Sequence, residues 1–299
     1  MPTYEYPLGA PTVSGNSITV DTMLQQPTRI TRYLSDLSIR GFWADQVFTP
    51  SGGVSGGAIL YTQLTENALF VSSDRDVQNV EPGAEFPLVT FDRPQPLTKQ
   101  VEKFGGKFFV TDEARDRNDP MMLRQGTQRL ANTINRRIHT NAVNEIDAQI
   151  TALGGSAQTA TGNDWSAVVT GGSSQTNATG WPAADFNKVQ LLADQKELGV
   201  VFDTWILNPV NANEFKIAYG NEWRSVLDDS GIRFVITNRV TAGTAYVFES
   251  GQVGELRVEK ALSTETWREN GTQRTWIQSD VRPVMVITNP YGIAKVTGL

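Results

Sequence analysis

The strongest periodic signal runs through Leu123, Leu130, Ile134, Ile138, Ala142, Ile146, Ile150 and Leu153, apolar positions mostly four apart. No proline interrupts the run, and Gly154-Gly155 closes it. Ahead of it, Asn118-Asp119-Pro120 supplies a capping side chain and a proline suited to a first turn. The pattern predicts a helix over about 120–153, roughly 50 Å long at 1.5 Å per residue. Such a helix is too long for one small domain to wrap and reads as a spine.

Upstream the pattern is different. Residues 1–50 hold Pro2, Pro7, Pro11, Pro27 and Pro50, with no apolar period long enough for a stable helix beyond one turn after Thr28. They are expected to form an extended arm with no core of its own. Ser51-Gly-Gly-Val-Ser-Gly-Gly reads as a joint. Two strand-like runs follow, Ala58-Ile-Leu-Tyr-Thr-Gln-Leu and Phe86-Pro-Leu-Val-Thr-Phe, with the turn signal Glu81-Pro-Gly between them. They predict a long two-stranded excursion over 51–102, marginal in water unless it finds a surface.

Downstream, residues 156–180 are rich in Ser, Thr, Gly and Asn and read as a polar loop. From Trp181 the chain alternates helix and strand. A helix is expected over 182–198, a buried strand over 200–207, and a helix opened by Asn208-Pro209. A further short helix ends near Asp229, with strands over 232–236 and 245–248. A long hairpin over 255–282 turns at Asn270-Gly271. The tail carries two short strands on either side of Asn289-Pro290.

Composition narrows the chemistry. A chain of 299 residues, 39% hydrophobic, can bury a proper core. With no cysteine and one histidine, His139, disulfides, thiolate metal sites, cysteine nucleophiles and multi-histidine cages are excluded. No serine or carboxylate motif points to His139, so it reads as structural or surface. Nucleophile-elbow, phosphate-loop and dinucleotide motifs are missing from the sequence. Asp74-Arg-Asp76 lacks the remaining ligands of a calcium loop. No catalytic, metal or cofactor-binding residue emerges, and no cofactor is expected.

Paired carboxylates with Trp165, Trp181, Trp205, Trp223, Trp267 and Trp276 keep a glycoside hydrolase as a lower alternative. Scattered core and interface aromatics are the more ordinary reading. The start lacks a basic segment followed by an apolar run, and no apolar stretch is long enough for a bilayer, so a soluble cytoplasmic product is expected. The net charge of −6 disfavours specific nucleic-acid binding.

The order of elements as a set resembles the Hong Kong 97-type major capsid fold of tailed bacteriophages. Lys103-Phe-Gly-Gly-Lys-Phe-Phe-Val-Thr-Asp-Glu is similar to the entry to that family's spine helix. Phe202-Asp-Thr-Trp-Ile-Leu-Asn-Pro resembles the strand and helix start of its axial domain. Gly231-Ile-Arg-Phe-Val-Ile-Thr-Asn and Ala242-Gly-Thr-Ala-Tyr-Val-Phe resemble the next two strands. Arg282-Pro-Val-Met-Val-Ile-Thr-Asn-Pro-Tyr-Gly-Ile-Ala resembles its closing segment.

The resemblance covers nearly the whole chain and implies an α+β architecture. Its parts are an N-terminal arm over 1–50, an extended hairpin loop over 51–102, a peripheral domain with the spine helix over 103–180, and an axial domain over 181–254. A peripheral hairpin over 255–283 and a return strand over 284–299 complete it. It further implies a structural protein, not an enzyme, whose pentamers and hexamers form an icosahedral head enclosing double-stranded DNA, in a virion assembled in the host cytoplasm. An encapsulin-type compartment shell is the alternative within the same fold. Many family members begin with a scaffolding segment that is later cut off. Here Met1 leads straight into the arm, so a separate scaffolding protein, or none, is expected, with a portal and, through the loop 156–180, a decoration protein as further partners.

Charge suggests how copies meet. Residues 115–137 carry Arg115, Arg117, Arg124, Arg129, Arg136 and Arg137 against Asp116 and Asp119, a net +4. The hairpin over 60–100 carries Glu66, Asp74, Asp76, Glu81, Glu85 and Asp92 against Arg75, Arg93 and Lys99, a net −3. The hairpin of one copy is expected to lie across the spine helix of the next, steered by this complementarity.

Overall fold

The structure, a computed structural model, describes residues 20–39, 42–65, 79–88, 94–197 and 199–299. It opens with two helices, α1 (Val20–Gln25) and α2 (Pro27–Ile39). Val20, Met23, Leu24, Ile30 and Leu34 are buried against Val110, Leu123, Ala131 and Ile277. This corrects the expected arm for residues 20–39: they are helical and packed on their own chain. Their apolar stripe is too short to hold a helix alone, and tertiary burial stabilises it. The rest of that expectation, over 1–19, lies outside the described residues.

A turn of helix, α3 (Ala44–Val47), leads into β1 (Phe48–Gly53). The excursion that follows pairs β2 (Ala58–Tyr61) with β3 (Leu97–Gln100), Ala58 opposite Gln100. The returning strand is therefore 97–100, not the run beginning at Phe86. Residues 84–88 stand outside regular structure. The hairpin's root is anchored: Ile59 packs on Val284 and Val286, and the Leu64 N–H donates to the Thr288 carbonyl at 2.8 Å.

Next comes β4 (Phe104–Thr111), then α4 (Asp112–Asp116), capped by Thr111 Oγ1 accepting from the Ala114 N–H. The predicted spine is α5 (Met121–Leu153). Asp119 Oδ1 accepts from the Met121 N–H at 2.9 Å, satisfying a free donor of the first turn. Gly154, at φ 54°, terminates the helix in a conformation that suits glycine.

The loop reading of 156–180 needs correction at its start. β5 (Gln158–Thr161) is a strand, and Trp165 beyond it is 1% exposed. Gln158 and Ala160 alternate inward, a pattern too short and too polar to stand out in sequence. The alternating region then gives α6 (Pro182–Gln195), β6 (Thr204–Leu207), α7 (Pro209–Tyr219), α8 (Trp223–Asp229), β7 (Arg233–Ile236) and β8 (Thr244–Phe248). Asn208 Oδ1 caps α7 by accepting from the Val210 N–H at 3.0 Å.

The long hairpin is β9 (Gly254–Glu269) and β10 (Arg274–Ile287), turning through Asn270–Thr272, and β11 (Ile293–Thr297) ends the fold. Residues 284–287, expected as a separate strand, are the end of β10. The strands form a four-stranded sheet, β1-β9-β10-β4, and a five-stranded sheet, β5-β11-β8-β6-β7.

One core joins both sheets to the spine: Ile134, Ile138, Ala142, Ile146 and Ile150 of α5 meet Phe48, Phe104, Tyr246, Phe248 and Met285. A second core centres on Trp165, Phe186, Trp205 and Phe215 within the five-stranded unit.

Candidate assembly surface

The edge strand β4 lies along the spine. Phe104, Gly106, Phe108 and Val110 face the helix, and Gly105, Lys107 and Phe109 face away, as the two-residue period of a strand requires. Two glycines set the approach. A Cβ on Gly106 would lie 2.8 Å from Leu130, and one on Gly126 2.3 Å from the Phe108 ring. Beside these contacts a groove of about 570 Å³ opens between strand and helix.

Phe104, Phe108, Leu130 and Ile134 form its apolar floor. Arg129 and Arg137 line it from the helix, and Lys103 and Lys107 from the strand edge. The Arg137 guanidinium lies 5.9 Å from the Phe104 ring centroid, a cation over an aromatic face. Lys107 covers Trp276 on the far face of the sheet at 4.5 Å.

The structure thus brings two of the four singled-out arginines, Arg129 and Arg137, into one groove. Arg124 borders a neighbouring surface with Met121, Gln128 and Arg129, the last lining both. Arg136 is exposed outside both. Among the described residues no carboxylate comes within ion-pair distance of any of the four. Arg115 behaves differently: it pairs with Asp21, Asp112 and Asp116, and its pKa is raised chiefly by the Asp116 hydrogen bond.

Of the acidic residues, Glu81 and Glu85 are exposed on the hairpin, while Glu66, Asp74 and Asp76 lie outside the described residues. Just beyond Glu85 stand Phe86, 81% exposed, and Leu88, 79% exposed. Side chains of this size left in water are the unusual observation. The lysines of the groove were missed in the sequence reading. Their signal was the alternation Lys103-Phe104 and Lys107-Phe108 in a strand, which puts both cations on one face and both rings on the other.

Behind the strand, Asp280 is 3% exposed and receives a hydrogen bond from Lys260 at 2.9 Å, with Lys103 at 3.8 Å. Burial alone would raise its pKa, but the Lys260 bond and the surrounding cations hold it lowered. The group ties β10 to its neighbours in charged form.

The tryptophans do not converge on a cleft. Trp165 and Trp205 are buried together, Trp223 lies between Lys216 and Arg224, and Trp267 stacks on Trp276 across the four-stranded sheet. His139 is buried against Phe42 and Trp43. No described helix is long and apolar enough to cross a membrane.

Comparison with known proteins bears on what such a surface is for. A family model described as phage capsid protein matches residues 95–296. No curated protein sequence matches significantly. Among solved structures, the chain is similar to the virus-like particle protein of Pyrococcus furiosus, with a TM-score of 0.60 and 12% identity over 91% of this chain and 99% of that one. It is similar to a chain of Microbacterium phage Oxtober96, with a TM-score of 0.58 and 10% identity over 86% and 91%. It is also similar to the capsid of the cyanophage P-SCSP1u, with a TM-score of 0.54 and 14% identity over 84% and 86%. At these identities the structural likeness speaks for the fold, and the sequence match covering two thirds of the chain speaks for the family. This chain belongs to the phage capsid protein family and is a structural, self-associating major capsid subunit with the Hong Kong 97-type fold.

Proposed function

We propose that copies of this subunit close into an icosahedral head of pentamers and hexamers around double-stranded DNA. The carrying observation is a mismatch among the described residues: Glu81, Glu85, Phe86 and Leu88 of the hairpin stand exposed while a cationic groove with an apolar floor stands open. Among the described residues, neither meets on its own chain what the other offers. The hairpin of one copy, through Glu81 and Glu85 with Glu66, Asp74 and Asp76 nearby in sequence, lies across Arg124, Arg129, Arg136 and Arg137 of the next.

In this reading residues 103–180 and 255–283 act as a peripheral domain, and residues 181–254 with 284–299 as an axial domain around the capsomer axis. The net charge of −6 suits a wall that does not grip the polymer it holds. The subunit performs no chemistry. It assembles in the host cytoplasm with a portal and a separate scaffolding protein, and the segment 162–180 offers a site for a decoration protein.

Purified protein examined by electron microscopy and light scattering should form particles of megadalton mass. A monodisperse monomer under all assembly conditions would sink the proposal. Particles holding protein cargo and no DNA would favour a compartment shell over a genome container.

A further inference from the structure

We infer that residues 84–88 of one copy add as a parallel strand to the open edge of β4 in the next copy, seating Phe86 and Leu88 in the groove beside the spine helix. This rests on the shell reading above and specifies its contact.

Among the described strands β4 pairs with β10 alone, which leaves its other edge open. Thr111 lies opposite Arg274, and one step further the Asp112 N–H donates to the Gln273 carbonyl at 3.0 Å. Backbone direction alternates along an antiparallel ladder. Phe104, Gly106 and Phe108 therefore direct their backbone groups at β10. Gly105, Lys107 and Phe109 direct theirs at the open edge, a template for another strand.

The occupant is selected by its own sequence, Ala84-Glu-Phe-Pro-Leu88. Pro87 has no N–H, so an added strand accepts it only where its nitrogen faces away from the ladder. Phe86 and Leu88 then point their backbone groups at β4.

Direction follows from which face the side chains take. In an antiparallel pair, bonded residues share a face, and Phe86 and Leu88 would lie beside Lys107 and Phe109, away from the groove. In a parallel pair the bonded positions of the two strands fall on opposite faces. Phe86 and Leu88 then enter the groove over Phe108 and Leu130, and Glu85 falls on the face that carries Lys103 and Lys107. Only the parallel arrangement puts both apolar side chains on the apolar floor and the carboxylate beside the lysines.

The chain contains no cysteine, so an engineered pair is the only thiol present. A parallel strand brings Leu88 to the Phe108 end of the groove, beside Arg129. Arg137 lies about 12 Å away along the helix, beyond disulfide reach. Oxidised particles of the double variant L88C/R129C should give a ladder of covalent multimers on a denaturing gel, and those of L88C/R137C should not. In wild-type protein, hydrogen exchange over residues 104–111 should slow by roughly tenfold or more on passing from free subunit to particle.

Particles without protection at 104–111, linkage at Arg137→Cys instead of Arg129→Cys, or linkage within single chains would each overturn the strand addition and leave the shell reading standing. Failure of the wild type to form particles overturns both. Where the cysteine variants do not assemble, the wild-type exchange measurement decides.

Discussion

The Trp43 backbone N–H donates to His139 Nε2 at 3.3 Å, and the two rings stack with centroids 4.9 Å apart. The only imidazole in the chain thus fastens the segment leaving the N-terminal helices to the middle of the spine. To accept this bond the ring must be neutral, with its proton on Nδ1. Burial, aided by the field of Arg239, pushes its pKa down to about 4.

A pH dependence follows. The unfolded chain takes up a proton near pH 6.5, while the folded chain resists until about 4. The stabilisation is complete above 6.5 and is lost as pH falls from there towards 4, in total about 3 kcal/mol. Urea unfolding of the free subunit at pH 7 and pH 4.5 should show most of this loss. His139→Leu should be less stable at pH 7 by about 1–3 kcal/mol, because the Trp43 N–H loses its acceptor. It should also show a flatter profile between these pH values, and an unchanged slope would remove His139 from the account.

Charge reversal should separate the groove from its surroundings. Arg129→Glu with Arg137→Glu should cut particle yield about tenfold or more while far-UV circular dichroism of the subunit stays unchanged. Arg124→Glu with Arg136→Glu, outside the groove, should cost less. Equal losses from the two pairs would mean that general surface charge, not the groove, governs association.

Gly126→Ala sets two effects against each other. Alanine in a helix interior gains about 1 kcal/mol over glycine. Its Cβ, however, would sit 2.3 Å from the Phe108 ring, and overpacking of this kind costs about 1–3 kcal/mol. Overpacking should win, lowering the urea midpoint of the subunit. A higher midpoint would show that Phe108 moves aside freely.

Asp185 is fully buried in the five-stranded unit and accepts from the Asn163 backbone and side-chain N–H groups and from Trp165 Nε1 at 2.8 Å. Asp185→Ala leaves these donors without an acceptor and should cost about 3 kcal/mol or more. Thermal unfolding checks this, and near wild-type stability would show that water reaches the site.

Much of this fold is legible in the amino-acid order. The spine helix is legible because its apolar spacing persists over nine turns with a glycine stop, and the β9–β10 hairpin because Asn270-Gly271 marks its turn. The N-terminal helices were not, since Met23, Ile30 and Leu34 make too short a stripe to predict a helix without the surface that buries them. Nor was the choice of return strand in the excursion, because 86–91 and 97–100 both tolerate a strand. Only contact with β2 and the root on β10 separates them.

The candidate surface divides in the same way. The linear order of residues determined the two opposite charge blocks and the strand alternation that sets lysines against phenylalanines. Tertiary structure decided that Arg129 and Arg137 share a groove with Lys103 and Lys107, while Arg124 and Arg136 fall outside it. The reason is physical: periodicity is a local property that neighbouring residues carry themselves, whereas a groove exists only where a strand and a helix distant in register are pressed together, here at Gly106 and Gly126.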